Sequence, residues 1–276
     1  MQLSYNNKTI ELSHKKPLIM GILNVTPDSF SDGGLFNTKE KALEHVKQMI
    51  KDGADIIDIG AESTRPFADP VSEEEELNRI CEVLDKITQN FDIAVSIDTS
   101  SPKVIRECVK LGAFMWNDIR ALNKENAIQT AVDLQIPVCI MHMQGDPKTM
   151  QVNPVYQNVV QEVYDYLVNR AKFLETCGIK REHIILDVGF GFGKSVDDNY
   201  KILKNLEIYN DLPYFSLTGL SRKTMIGEAT GISKAQDRMV GSVVAAIICA
   251  QKGSAILRVH DVKETKEALN VWQRCL

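Results

Sequence analysis

Polar and charged side chains recur in this sequence at one kind of place, the last residues of a short apolar run. The positions are Asn24, Glu62, Asp98, Asn117 with Asp118, His142, Asp187, Ser221 through Lys223, and Arg258 with His260. Asp98, Asn117 and Asp187 supply acceptors and an amide. Lys223, Arg258 and His260 supply donors or positive charge. A ligand matching both groups has an amidine-like edge at one end, where paired N–H donors meet a carboxylate, and an anion at the other. A phosphate suits arginine, histidine and loop N–H groups at that second end. Each residue also has a plainer use, because carboxylates at strand ends often cap the next helix, and for Asp118 that use is preferred. Asp58 lies inside an apolar run and calls for a buried partner such as an arginine.

Residues so far apart meet only if the fold gathers them. The apolar runs are Leu18–Asn24, Ile56–Ala61, Ala94–Thr99, Phe114–Ile119, Val138–Met143, Ile184–Gly189, Tyr214–Leu220 and Ile256–Asp261. Each is apolar on both faces, as a buried parallel strand is. Amphipathic helical patterns lie between them, among them Lys39–Lys51, Ser72–Gln89, Pro102–Leu111, Asn158–Cys177 and Lys234–Gln251. Gly53 stands where a helix C-cap belongs, and Ser72 with Glu75 has the form of a capping box. Eight strand–helix alternations predict a closed (β/α)8 TIM barrel, whose C-terminal strand ends form the active face. An open doubly wound sheet is the competing layout. The stretch Leu3–Ser13, turning at Asn6-Asn7, reads as a short N-terminal β-hairpin plugging the barrel floor. The chain has 276 residues, near the roughly 250 of one barrel, and no linker or low-complexity run divides it. Residues 1–276 are therefore expected to form a single domain.

Composition removes several function classes. A net charge of −5 argues against a nucleic-acid partner, since backbone binders carry a basic surface. No apolar run is long enough to span a bilayer and the N-terminus lacks a signal-peptide core, so a cytoplasmic protein without a membrane partner is expected. The six cysteines are widely spaced and read as buried reduced thiols. Gly189 through Ser195 has the look of a phosphate loop but carries Val188 where GxxxxGK[ST] needs glycine. It is read as a flexible turn. Met141 and Met143 suit either core packing or the floor of a flat ring pocket.

The segments from Met20 to Gly34 (MGILNVTPDSFSDGG) and from Gly60 to Pro66 (GAESTRP) resemble signatures of the dihydropteroate synthase family. Further matches follow in family order at Ile97-Asp98-Thr99, Asn117-Asp118-Ile119, Met141 through Gly145, Asp187 through Lys194, Ser221-Arg222-Lys223 and Arg258 through Asp261. The resemblance implies condensation of 6-hydroxymethyl-7,8-dihydropterin diphosphate with 4-aminobenzoate, by an SN1-like displacement of pyrophosphate, and competition by sulfonamides. It implies that Asp98, Asn117 and Asp187 hold the pterin, with Met141, Lys223 and Arg258 around the ring. It further implies that Asn24, Thr64, Arg258 and His260 serve the diphosphate, with Mg2+ at Asn24. Phe192, Pro66, Lys223 and Ser221 or Thr224 would border the aminobenzoate, and Lys223, Asp98 and Arg65 would take the catalytic roles. Loops 25–37 and 63–71 would close over the site, so that aminobenzoate binds well only after the diphosphate end is filled. Val188 and Thr218 depart from the family's commoner residues without removing a reactive group. A pterin-binding methyltransferase domain and a non-catalytic pterin-binding paralogue are the rival readings. A homodimer packed through the small apolar residues of Met239–Ala250 is expected, with packing of that helix on its own barrel an equal use.

Overall fold

The computed structural model describes residues 1–25, 34–61, 71–145, 150 and 154–276. The chain opens with an antiparallel hairpin of β1 (Gln2–Tyr5) and β2 (Lys8–Glu11). Asn6 and Asn7, both at positive φ (47° and 62°), make the tight turn that such hairpins favour. Eight parallel strands then close into a barrel: β3 (Leu18–Asn24), β4 (Ile56–Gly60), β5 (Ala94–Asp98), β6 (Met115–Asp118), β7 (Val138–Met141), β8 (Ile184–Asp187), β9 (Phe215–Thr218) and β10 (Ile256–Val259). The order around the barrel is sequential, and β10 pairs with both β9 and β3 to seal it.

The helices between the strands are α1 (Gly34–Lys51), α2 (Glu73–Asn90), α3 (Pro102–Lys110), α4 (Ala127–Leu134), α5 (Val159–Thr176), α6 (Val196–Lys204), α7 (Thr224–Thr230) and α8 (Met239–Gln251), with α9 (Val262–Gln273) after β10. Their ends follow local chemistry. Ser72 accepts from the Glu75 amide as the N-cap of α2, but the reciprocal half of the expected capping box is absent because Glu75 turns to Arg79. The full box occurs instead at α6, between Ser195 and Asp198. The helical pattern expected over Lys234–Gln251 is broken into one 3-10 turn, Ala235–Asp237, and α8. Among the described residues no helix is long and apolar enough to cross a membrane. Cys108, Cys139 and Cys249 are buried thiols as expected, whereas Cys81 and Cys177 are half-buried and Cys275 is exposed.

The barrel interior is layered, and the layering positions the site. Each strand sends one apolar side chain into the lower layer: Met20, Ile56, Ala94, Met115, Cys139, Ile185, Leu217 and Ile256. Leu3 and Leu12 of the hairpin region close this layer from below, so the hairpin plugs the floor. Two residues further along a strand, the next inward side chain points at the other end of the barrel. There the composition changes to Asp58, Ser96, Asn117, Met141, Asp187 and Arg258. The register lines up Asn24, Gly60, Asp98 and Asn117 across four neighbouring strands. A dry lower barrel thus holds a polar upper one rigidly, each fully buried aliphatic side chain contributing about 1.5–3 kcal/mol.

Candidate functional site

At the centre of the upper layer stands Arg258. Its Nε donates to Asp58 Oδ2 at 2.6 Å and its Nη2 to Asp98 Oδ2 at 2.8 Å. Asp58, fully buried, also accepts from Asn117 Nδ2 at 3.3 Å. The partner expected for Asp58 is therefore an arginine, brought from 200 residues away by barrel closure. Burial works against the charge on Arg258, yet the carboxylates of Asp58 and Asp98 hold its pKa above the ordinary value. Burial pushes the Asp98 carboxyl up to about 7. Arg258 opposes this, and Asp58, Glu76 and Asp118 add to it. Gly60, beside Asp98 in the register, carries no side chain to cover that carboxyl.

Asp187 closes the other side of the layer. Its Oδ1 accepts from the Gly189 amide at 2.8 Å. Burial raises its pKa, and the nearby Lys223 ammonium lowers it. Met141 pairs with Asp187 in register and is buried beside it, so the methionine floors this part of the layer. Carboxylates at Asp98 and Asp187, with the Asn117 amide on a strand between theirs, leave acceptors and an amide suited to the edge of a flat ring.

Lys223 reaches toward Asp187 from the loop after β9. Its Nζ donates to the Phe190 carbonyl and lies 4.7 Å from the centre of the Phe192 ring. Burial lowers its pKa to about 8, with Asp187 acting in the opposite sense. Ser221 is buried and its Oγ meets His260 Nδ1 at 2.9 Å and the His260 amide at 3.2 Å. Burial, with Arg222 and Arg258 close by, lowers the His260 pKa to about 3. His260 thus enters as a neutral ring that donates or accepts a hydrogen bond, rather than as a cation. Thr224 is exposed at the start of α7. Arg222, at φ 62°, turns away and pairs with Asp261 (Nε to Oδ2 3.1 Å), leaving its neighbours Ser221 and Lys223 facing the mouth.

Asp118 is structural as preferred, but it pins a turn and does not cap the next helix, which starts only after Asn126. It accepts from Ser100 Oγ (2.5 Å) and from the amides of Arg120 (2.9 Å) and Leu122 (2.7 Å), pinning a turn in which Ala121 and Leu122 both have positive φ. His142 is buried against Tyr156 and Tyr166, and burial together with Lys194 lowers its pKa to about 3. A cleft of about 560 Å³ opens on the β5–β7 side, lined in part by Ser100, Ile119, Arg120, Met141 and Tyr166, and shares Met141 with the polar layer.

The turn after β8 differs from its sequence reading. It is tied on several sides: side chains catch its carbonyls at Gly189, Phe190, Phe192 and Gly193. A Cβ at Gly189 would collide with the His142 carbonyl, and one at Gly193 with the Gln144 carbonyl. Glycine is needed here for close approach as well as for positive φ. Lys194 and Tyr156, which do much of the catching, carried no signal in the sequence beyond a cation set in a Gly-Phe run.

Asn24 ends β3 with its side chain exposed toward the mouth. Among the described residues no three His, Cys, Asp or Glu side chains group to hold a metal. One amide oxygen fits an ion that takes few protein ligands and many from phosphate and water, as Mg2+ does. Glu62, Thr64, Arg65 and Pro66 lie outside the described residues, as do most of loops 25–37 and 63–71.

The family profile described as "Pterin binding enzyme" matches residues 20–260. A dihydropteroate synthase of Haemophilus influenzae is 53% identical over 274 residues, covering 99% of this chain and 98% of its own. The structure of a Xanthomonas albilineans dihydropteroate synthase with 4-aminobenzoic acid aligns with TM-score 0.94 at 43% identity, covering 99% of this chain and 97% of the other. One of the same organism's enzyme in complex with 7,8-dihydropteroate aligns with TM-score 0.90 at 40% identity, covering 100% and 98%.

Proposed function

This chain belongs to the dihydropteroate synthase family of pterin-binding enzymes, and from that premise we propose how its own groups divide the reaction. The reaction joins 6-hydroxymethyl-7,8-dihydropterin diphosphate to 4-aminobenzoate, giving 7,8-dihydropteroate and pyrophosphate. Asp98 and Asp187 accept from the amino-pyrimidine edge of the pterin, Asn117 adds an amide contact, and Met141 packs on the ring. Arg258 lies between the two carboxylates and the strand-end residue His260, so one cation serves both the ring and the diphosphate. Lys223, Ser221 and Phe192 border the aminobenzoate, with Thr64 and Arg65 assigned to the same mouth on the family resemblance alone. The observation that carries this reading is the polar upper layer, in which Asp58 and Asp98 bond one arginine and Asp187 lies near enough to act on its charge, above a dry barrel floor.

The bond that breaks lies between the exocyclic methylene carbon and the diphosphate oxygen, and its electron pair leaves with pyrophosphate. The pterin ring shares the positive charge left on that carbon. The arylamine nitrogen then forms the new C–N bond and releases a proton to pyrophosphate or water. Such a reaction asks the protein to align reactants and exclude water, not to supply a nucleophile. Lys223 and Arg258 stabilise the departing negative charge. Asn24 would hold Mg2+ together with diphosphate oxygens, and the ion when bound would neutralise charge on the leaving group.

The direct test is pyrophosphate release from pterin diphosphate with and without 4-aminobenzoate. Turnover that rises with the arylamine and yields dihydropteroate is expected, and a rate of pyrophosphate release that 4-aminobenzoate does not raise would contradict the assignment. In the same assay turnover should stop in excess chelator, and Asn24→Ala should slow it roughly tenfold or more, the loss of about one ligand interaction of 1.4 kcal/mol. Full rate in chelator would remove the metal from the scheme.

We propose a homodimer that uses the outward face of α8. Its buried face, including Ala245, Ala246 and Cys249, packs on the barrel, while Val240 (69% exposed) and Val244 (54%) face outward one turn apart. The buried face accounts for packing on the barrel, and the exposed valines leave the outer face open to a second copy. Sedimentation should give twice the chain mass, and Val244→Asp should shift the population to monomer. Unchanged sedimentation of that variant would exclude this face.

A further inference from the structure

We propose that Lys194 is a positioning residue for the aminobenzoate side of the site, acting through the turn Gly189–Gly193. Lys194 is 2% exposed. Its Nζ donates to the carbonyls of Gly189 (2.9 Å), Phe192 (3.0 Å) and His142 (3.2 Å). No carboxylate lies within ion-pair distance of it among the described residues, since the contacts are all to main-chain oxygens. A buried ammonium in such a place is costly to desolvate; the converging carbonyl dipoles offset that cost in contact, and the Asp187 carboxylate acts the same way from beyond ion-pair distance. A turn needing no fixed shape is served more cheaply by an apolar residue.

The shape that is fixed leads to the site. Lys194 ties the turn to the end of β7 through His142 and holds Phe192 by its own carbonyl. The Phe192 ring lies under the Lys223 ammonium, and the neighbouring Phe190 carbonyl accepts from it. Tyr156 Oη secures Gly193 at 2.6 Å, and Asn199 Oδ1 takes the Gly191 amide at 2.7 Å. Lys194 meets the aminobenzoate border only through the Phe192 main-chain carbonyl. Its effect is to set the distance between the Phe192 ring and Lys223, and so the width of the slot for an aromatic amine. The inference rests on the reading of Phe192 and Lys223 as the aminobenzoate border.

The test is steady-state kinetics of Lys194→Met, which keeps the side chain's length and removes its donors. Expected is a rise in KM for 4-aminobenzoate of roughly tenfold, about 1.4 kcal/mol, with KM for the pterin diphosphate within about twofold of the parent and kcat less affected than the aminobenzoate KM. Equal losses for both substrates, or no change in either, would overturn the proposal. Should Lys194→Met fail to fold by circular dichroism, Tyr156→Phe removes one hydrogen bond from the same turn, and the same selective rise of a few fold is expected; a parental aminobenzoate KM there overturns it too. Phe192→Ala separates the two layers of argument. An unchanged aminobenzoate KM in Phe192→Ala refutes the border reading itself. A raised one, beside an unchanged Lys194→Met, refutes only the role of Lys194.

Discussion

Replacing Asp187 by alanine is expected to weaken pterin diphosphate binding roughly ten- to a hundredfold, the loss of a charged hydrogen-bond partner of about 1.5–3 kcal/mol. The carboxylate has two tasks. Oδ1 holds the Gly189 amide at 2.8 Å, and the group faces Lys223 across the site. Asp187→Asn divides them, because an amide oxygen still accepts from Gly189 while the charge is gone. Both variants should bind poorly, and Asp187→Asn should melt near the parental temperature. Isothermal calorimetry with the pterin diphosphate decides the matter, and parental affinity in both variants would sink the assignment. Asp98 adds a pH signature. Its carboxyl is pushed up to about 7 by burial against the pull of Arg258, and the form that accepts N–H donors is the ionised one. Affinity should therefore fall as pH drops below about 7. In Asp98→Asn, with nothing to protonate there, that fall should flatten. A slope identical to the parent's would assign the titration elsewhere.

How the site emerges from the sequence depends on the length scale of each cause. The strands and the barrel were legible because burial on both faces writes an apolar run for each strand, and closure of eight such units follows from their number. The ring of polar residues was legible for the same reason, since a charge ending an apolar run marks the strand's open end. Asp58 showed only half of itself: its burial was visible as a carboxylate within Ile56–Ile59, whereas its partner Arg258 became adjacent through closure of the barrel. Lys194 was invisible, because carbonyl acceptors belong to every residue and leave no trace in side-chain identity. The same holds for the capping box, expected at Ser72 and found at Ser195, where the competing pull of Arg79 on Glu75 decided the outcome. His260 was expected to bring a donor or a charge, and burial leaves it the first of these. A buried place between Arg222 and Arg258 disfavours the imidazolium, and no spacing rule reports that.

The Arg258–Asp58 contact carries the second large expected effect, and it is one of stability as much as binding. Arg258→Met leaves Asp58, a fully buried carboxylate, with only the Asn117 amide at 3.3 Å among the described residues. Breaking a buried pair by removing one partner costs roughly 3–5 kcal/mol, mostly the price of the stranded charge. Urea denaturation of Arg258→Met should show a loss of that order, with the midpoint shifted and the slope retained. The double variant Arg258→Met with Asp58→Asn removes the more deeply buried of the two stranded carboxylates, Asp98 being able to take up a proton near neutral pH, so it should recover half or more of the loss. It should not recover activity, because the cation between the pterin carboxylates and the diphosphate end is still missing. The two readouts therefore part company in the double variant. A double variant no more stable than Arg258→Met would mean that the arginine stabilises through packing of its aliphatic stem. A double variant regaining turnover would mean that Arg258 serves the barrel alone, and the diphosphate would need another cation.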